Sequence, residues 1–302
     1  MKVDFIGIGT SRSYTTWIYS CLREHPSIFM PKKKELHFFD CDRNFNKGVS
    51  YYNSFFIDRK NELIQGEFTP RYILYKDALL RIKKFYHHVK IIISLRNPLE
   101  RAYSQYNFFK YNKKKEPENN FESALNGFWK HDYLEKSLYY KQLINVFQIF
   151  SKENIHIILT DDIKINPKKV IMDLYLFLGV EKSFVPSCII KKINVSKNNF
   201  VAPNKLWSYI NRTLIHNQRF VNGVNYGNQI GLLEFYLRIF FKIIARLIFY
   251  INNLLDRYSK KILIIDDFPS SKKKLIYEKY FKKDINNTEI LLGIDLAFWK
   301  KY

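Results

Sequence analysis

Cysteine is scarce: Cys21, Cys41 and Cys188 stand far apart in a chain of 302 residues. No CxxC pair or Cys/His cluster accompanies them, so no metal site is expected, and reduced thiols in a reducing compartment are the default. Linkers rich in Gly/Ser or Pro are missing and no repeat of fixed period occurs, which leaves one domain as the economical reading. An export signal is missing too, because MKVDFIGIGT places Asp4 where such a signal needs an apolar core; a cytoplasmic location is expected. Nor is there an uncharged apolar run fit to span a bilayer. Leu232–Leu255 comes nearest, but Glu234, Arg238, Lys242 and Arg246 recur every fourth residue and share one helical face. That pattern describes a helix packed on the protein, so a membrane surface is not an expected partner. Acidic residues are in short supply: 28 Asp and Glu face 50 Lys and Arg, a formal charge of +22. The excess suits a polyanionic partner, although a chain rich in Lys, Asn, Ile, Tyr and Phe can owe it to an AT-rich genome. A composition of 47% hydrophobic and 26% charged residues excludes collagen-like and disordered chains.

What is present is alternation. Runs rich in β-branched residues at Val3–Ile8, Leu63–Gly66, Val89–Leu95 and Ile155–Leu159 predict strands, with helical spacing between them. Such alternation implies an α/β fold with a parallel sheet flanked by helices. Helices are expected from Thr15 to His25, from Pro98 through Phe109, and from Asn166-Pro167 to a C-cap at Gly179. Tyr111 to Asn120 reads as an exposed loop. Beyond Pro203 helices dominate, apart from a short Ile262–Ile265 run. We therefore expect an α/β core over 1–200 and a helical C-terminal subregion over 201–302.

Three segments carry chemistry. Phe5 to Trp17, FIGIGTSRSYTTW, is a strand running into a small-residue loop and a helix, which aims backbone N–H groups and a positive helix end at an anion. Arg12 adds charge, and Ser13, Thr15 and Thr16 add hydroxyls. The Gly-Lys of a Walker loop, GxxxxGK(S/T), is absent, and the strand that would end in a magnesium-holding acid ends in Arg96. Lys32 to Asp40, KKKELHFFD, sets a carboxylate two residues from an imidazole. If the segment is extended, Glu35 and His37 share one side and Leu36 and Phe38 the other, and Glu35 is a usable general base. The plainer alternatives are a surface pair of Glu35 with Lys33 or Lys34 and a structural His37. Ser94 to Tyr106, SLRNPLERAYSQY, puts Arg96 at a strand's C-terminal end and Ser104 on the following helix, where α/β sheets bind ligands. Arg101 has the plain alternative of a surface pair with Glu100 or a nearby acid.

Taken in order, these segments resemble the sulfotransferases that use 3′-phosphoadenosine 5′-phosphosulfate (PAPS). TSRSYTTW resembles their PRSGTT-type loop and RNPLERAYSQY their RNPxERAYSxY segment. ELHFFD and GEFTPRYI, Gly66 to Ile73, look like stretches of the carbohydrate branch, the heparan-type enzymes and their bacterial relatives. ENIHIILTDDIKINPKKVIMDLYLFLGV, KKINVSK and EILLGIDLAFW resemble the family's late strand and helix, its cofactor-capping region and its closing helix. The resemblance implies a P-loop-like fold over one domain, 1–302, and PAPS as cofactor, leaving 3′,5′-bisphosphoadenosine as product. It implies that Thr10, Ser11, Arg12, Ser13, Tyr14, Thr15 and Thr16 cradle the 5′-phosphosulfate while Arg96 and Ser104 hold the 3′-phosphate. Glu35 would be the catalytic base, Arg12 the stabiliser of the leaving charge, and His37 and Lys34 further contacts. The implied acceptor is a carbohydrate, with a small natural product or lipid as the alternative. A non-catalytic binder of nucleotide or nucleic acid on the same scaffold is the competing class; nucleic acid is not the expected partner. Tyr14 stands where the family has glycine, so the loop either keeps a strained left-handed residue or relaxes with the tyrosine packed on the first helix.

Overall fold

A computed structural model describes residues 2–113, 115–189, 200–201, 262–263, 268 and 270–301. It divides into two compact units: Met1–Arg101 with Lys136–Ser196 and Lys273–Tyr302, and Ala102–Glu135 with Lys197–Lys272.

The first unit is built on five parallel strands: β1 (Phe5–Gly9), β2 (Ile28–Phe29), β3 (Ile64–Phe68), β4 (Lys90–Leu95) and β5 (Ile155–Leu159), in the order β2-β3-β1-β4-β5. β1, β3 and β4 are almost wholly buried, as strands covered on both faces must be. Close approach dictates two of the glycines: a Cβ on Gly7 would lie 2.3 Å from the Phe68 ring, and one on Gly66 2.4 Å from the Phe5 ring. β2 was not expected; two residues, pairing with Ile64 and Gln65, are too few to carry a periodic signal.

Helices α1 (Thr15–Glu24), α2 (Lys76–Phe85), α3 (Pro98–Asn107), α4 (Tyr139–Ile149), α5 (Pro167–Leu178) and α6 (Lys282–Leu292) are the main ones described. α1 buries Trp17, Ile18, Cys21 and Leu22, and these join Phe5, Phe68, Ile92, Ile158, Ile171, Leu174 and Leu178 in one core. The chain turns extended at His25, as the residue before Pro26 must. The Asn97 side chain accepts from the N–H groups of Leu99 (3.0 Å) and Glu100 (3.3 Å) to start α3. α5 has the predicted cap at each end, Asn166 accepting from Lys169 N–H at 3.0 Å and Gly179 at φ 81°.

In the second unit Tyr103, Tyr106, Phe121, Tyr133 and Phe268 form a contiguous ring cluster. The stretch expected as an exposed loop departs from that reading: Phe108–Asn112 continues α3 as a π-turn, and Glu116 is buried, taking the Tyr133 hydroxyl. Burial raises the Glu116 carboxyl above its ordinary range against the lowering effect of that hydrogen bond. β6 (Phe200–Val201) pairs antiparallel with β7 (Ile262–Leu263), the start of the run expected at Ile262–Ile265. The Leu232–Leu255 helix and KKINVSK lie outside the described residues. Among the described residues no helix is long and apolar enough to cross a membrane.

Cysteine pairing corrects the expectation of reduced thiols. Cys21 on α1 and Cys188, 167 residues later, form a buried disulfide, and Cys41 is free. The same strip of α1 takes two further contacts: Trp17 Nε1–H donates to the Cys188 carbonyl (3.1 Å), and Glu24 accepts from the Ser187 N–H (2.5 Å) and hydroxyl (3.0 Å). Cys188→Ser should therefore cost roughly 2–5 kcal/mol, the usual range for a native disulfide. The measurement is thermal unfolding with and without reductant alongside a thiol count; three titratable thiols in the untreated native protein would sink the assignment.

Candidate functional site

Every strand of the sheet points its C-terminal end the same way, and the nominated residues of the first unit gather at that edge. The β1 loop is stitched to β4. Thr10 donates its backbone N–H (2.9 Å) and its hydroxyl (3.0 Å) to the Ser94 carbonyl, and Ser94 Oγ–H donates to the Ser13 carbonyl at 2.6 Å. The Thr10 and Ser13 hydroxyls are 2.8 Å apart. The Ser13 carbonyl, just before the N-terminus of α1, is thus satisfied within the protein. No acidic residue occupies the first turn of α1. Thr15 is buried there, Thr16 is exposed with its carbonyl taken by the Ser20 hydroxyl, and Ser11 is half-buried.

Two loop residues carry left-handed backbone: Arg12 at φ 71° and Tyr14 at φ 58°, ψ 15°. Tyr14 keeps a conformation glycine would adopt freely, and its ring packs on the core that α1 covers. The relaxed-loop alternative is therefore not what this structure shows.

Three guanidiniums converge on this loop. Arg101 is buried, donating from Nε to the Ser11 carbonyl (3.2 Å) and from Nη1 to Ser137 Oγ (3.0 Å), so the surface pair suggested for it is corrected. Glu100 instead holds Arg96, at 3.1 Å from Nε and 3.0 Å from Nη2, and shares its oxygen with Lys164 at 3.3 Å. The Arg96 carbonyl accepts from the buried Tyr139 hydroxyl at 2.9 Å. Burial, then the like charges of Arg96 and Arg101, lower the Arg12 guanidinium to about 10, so it remains protonated near neutral pH. Like charges held this close by packing favour any anion that enters among them. Ser104 stands on α3, half-buried and in the second unit.

The Glu35 segment lies at the end of β3. Glu35 N–H donates to the Phe68 carbonyl (3.2 Å), and Thr69 N–H donates to Gly7 (2.8 Å), which ties the segment toward β1 through β3. The expected alternation holds, with Leu36 and Phe38 each 1% exposed and Glu35 and His37 half-buried. The condition of an extended segment is not met by the backbone that produces it: Glu35 (φ 63°) and His37 (φ 51°) are left-handed. Lys34 Nζ sits 2.6 Å from Glu35 Oε1, the pairing weighed from sequence, and His37 Nε2 lies 3.8 Å from Oε2.

Sequence reasoning missed what holds His37. Asp40, its carboxylate fully buried, takes His37 Nδ1 at 3.1 Å and Arg71 Nε at 3.2 Å. Its hydrogen bond, more than the charges of Asp40 and Glu35, raises the imidazole above its ordinary value against the opposing effect of burial. The i, i+3 spacing of His37 and Asp40 in ELHFFD was the available signal; Arg71, inside GEFTPRY, had none. Glu67 was also missed, a carboxylate 1% exposed at the end of β3. Among the described residues no group of three His, Cys, Asp or Glu is arranged to hold a metal ion.

A family model for the sulfotransferase domain matches residues 2–221. The chain belongs to the sulfotransferase domain family. Among its relatives, the membrane-associated sulfotransferase kil1 of Dictyostelium discoideum is 34% identical over 129 residues, 40% of this chain and 27% of that protein. The human heparan sulfate glucosamine 3-O-sulfotransferase 5 is 25% identical over 185 residues, 57% of this chain and 52% of that protein. The chain thus spans about half or less of the curated relatives it matches. The crystal structure of a sulfotransferase from Alicyclobacillus acidocaldarius matches with a TM-score of 0.66 at 20% identity, covering 100% of both chains, which establishes the expected P-loop-like α/β fold.

At Tyr14 the left-handed backbone costs a non-glycine residue about 1–2 kcal/mol. Ring packing on the core opposes any gain from relieving it. Tyr14→Gly is accordingly expected to move the melting temperature by less than about 4 °C. A larger rise would show that strain outweighs packing, and a larger fall the reverse.

Proposed function

We propose that this protein is a PAPS-dependent sulfotransferase, a single sulfotransferase-like domain that moves a sulfonate to a hydroxyl or amine of a carbohydrate acceptor. The observation that carries the reading is the convergence of Arg12, Arg96 and Arg101 on the β1 loop, at the same sheet edge as the Glu35–His37–Asp40 series. A set of guanidiniums, hydroxyls and helix N-terminal N–H groups fits a nucleotide that carries several anionic groups. The carbohydrate acceptor is supported by the names of the heparan sulfate relatives and by the ELHFFD and GEFTP segments.

PAPS supplies an activated sulfonate. In this reading the N-terminus of α1, with Thr10, Ser11, Ser13, Tyr14, Thr15 and Thr16, holds its 5′ end, and Arg96 with Ser104 its 3′-phosphate. Glu35 removes the acceptor proton at the moment of attack. Lys34, 2.6 Å from Oε1, holds the Glu35 side chain in place. His37, fixed through Nδ1 by Asp40, turns Nε2 toward Glu35 and the acceptor oxygen. Arg12, cationic in a partly desolvated setting, offsets the charge that grows on the departing phosphate. Cytosolic supply of the donor supports a cytoplasmic site of action, where burial would have to protect the Cys21–Cys188 pair from reduction.

Calorimetric titration with 3′,5′-bisphosphoadenosine, ATP and single-stranded DNA tests the cofactor assignment; a strong preference for the bisphosphate is expected, and equal or tighter binding of ATP or DNA would favour the competing class. Arg96→Ala should weaken the bisphosphate far more than 5′-AMP, by the ~1.5–3 kcal/mol of a charge-assisted hydrogen bond. Equal losses for both nucleotides would remove Arg96 from the 3′-phosphate. Glu35→Gln should lower the rate of transfer ~10²–10⁴-fold with bisphosphate affinity kept. Turnover at the wild-type rate would transfer the role of base to another group, His37 first.

A further inference from the structure

Beneath the Glu35 segment lies a buried polar hub that the mechanism above does not use. Glu67, at the end of β3, receives three hydroxyls: Thr69 at 2.6 Å on Oε2, and Tyr72 at 2.8 Å and Tyr52 at 3.3 Å on Oε1. Thr69, Tyr52 and Tyr72 are themselves fully buried. The Tyr72 oxygen does a second thing: it accepts the backbone N–H of Phe38, the residue after His37, at 3.1 Å. Glu35, two residues before His37, is anchored through its own N–H to Phe68, the residue after Glu67. Both ends of the left-handed stretch that presents Glu35 and His37 are therefore held by Glu67's immediate neighbours.

We propose that Glu67 is a positioning residue for sulfonate transfer: its ionised carboxylate fixes the direction of the Tyr72 hydroxyl, and Tyr72 thereby fixes the backbone that aims Glu35 and His37. The proposal rests on the reading of Glu35 as the base. An ionised carboxylate only accepts, so it draws the Tyr72 O–H inward and leaves a Tyr72 lone pair for Phe38 N–H. A protonated carboxyl must donate one hydrogen bond itself, and the hydroxyl it donates to has to turn its own proton elsewhere. In a buried cluster of this kind each reversal displaces the partner beyond it.

The hub sits where such a change occurs near neutral pH. Burial raises the Glu67 carboxyl to about 7 against the lowering effect of its hydroxyl partners, and Asp40 raises it further. Of the groups around it, Tyr52, Tyr72 and Tyr86 have phenols pushed above their ordinary value and stay neutral, while Asp40, in the Glu35 segment, is engaged by His37 and Arg71. Left-handed backbone at Glu35 and His37 is a conformation that persists only where its surroundings hold it.

The test is Glu67→Gln, which copies the neutral carboxyl at every pH. The wild-type kcat should rise across a step near pH 7, and Glu67→Gln should lack that step and lie roughly 10-fold below the wild-type upper plateau, the scale of a small misplacement. Affinity for 3′,5′-bisphosphoadenosine should stay within about twofold, because the hub's link to β1 is the backbone bond from Thr69 N–H to the Gly7 carbonyl, which Glu67→Gln leaves in place. Independently of turnover, the Phe38 amide resonance should titrate near pH 7 in the wild type, keep doing so in Tyr52→Phe, and stop in Glu67→Gln. A step that persists in Glu67→Gln belongs to His37 and overturns the proposal, as does a loss of kcat that tracks a fall in melting temperature with the pH profile unchanged. If the wild type transfers no sulfonate, the role given to Glu35 fails, and the Phe38 resonance still decides whether Glu67 controls that backbone.

Discussion

The constraint on which the rest depends is electrostatic: three guanidiniums are packed around one loop at the edge of a parallel sheet. Mutual repulsion disfavours such a cluster, and burial first, then the charges of Arg96 and Arg101, lower the affinity of Arg12 for its proton. The cluster survives because Arg101 is buried on the Ser11 carbonyl and Ser137 hydroxyl, while Arg96 is neutralised by Glu100. What results is a pre-organised positive site whose cost is met by folding rather than by ligand binding.

The sheet converts this local chemistry into a site. β1 lies at the centre, with β4 on one side and β3 on the other, so the phosphate-type loop, the Arg96 turn and the Glu35 anchor all leave the sheet at one edge. Hydrogen bonds from the Thr10 N–H and hydroxyl to Ser94 join β1 to β4, and the bond from Thr69 N–H to Gly7 joins β3 to β1. Parallel order therefore places a candidate base and a candidate anion cradle in neighbouring loops although Arg12, Glu35 and Arg96 are spread over 85 positions of chain.

Left-handed residues are the second recurring device. Arg12, Tyr14, Glu35 and His37 all have positive φ without being glycine. All four sit at the C-terminal edge of the sheet, and three of them are held by neighbours: Tyr14 by core packing, Glu35 by Phe68, His37 by Asp40. Backbone of this kind is retained where the side-chain direction it creates is worth its energy.

Sequence alone determined the sheet strands long enough to show β-branched runs, the capped helix Pro167–Leu178, and the nomination of Arg12, Glu35, His37 and Arg96. These are local: a strand, a cap or a motif is written in adjacent residues and needs no partner to be seen. Pairings at long separation were decided by the tertiary structure. Cys21 meets Cys188 only because α1 and a segment 167 residues away share one core, so their spacing carried no signal. Arg101 read as an ordinary surface charge because charge predicts exposure, and Glu67 was not singled out at all; only the fold supplied Ser11 and Ser137 to one and Thr69, Tyr72 and Tyr52 to the other. The alternation of Glu35 and His37 against Leu36 and Phe38 was legible, but the left-handed backbone behind it was not. Side-chain pattern records which residues are buried, and several backbone paths can bury the same ones.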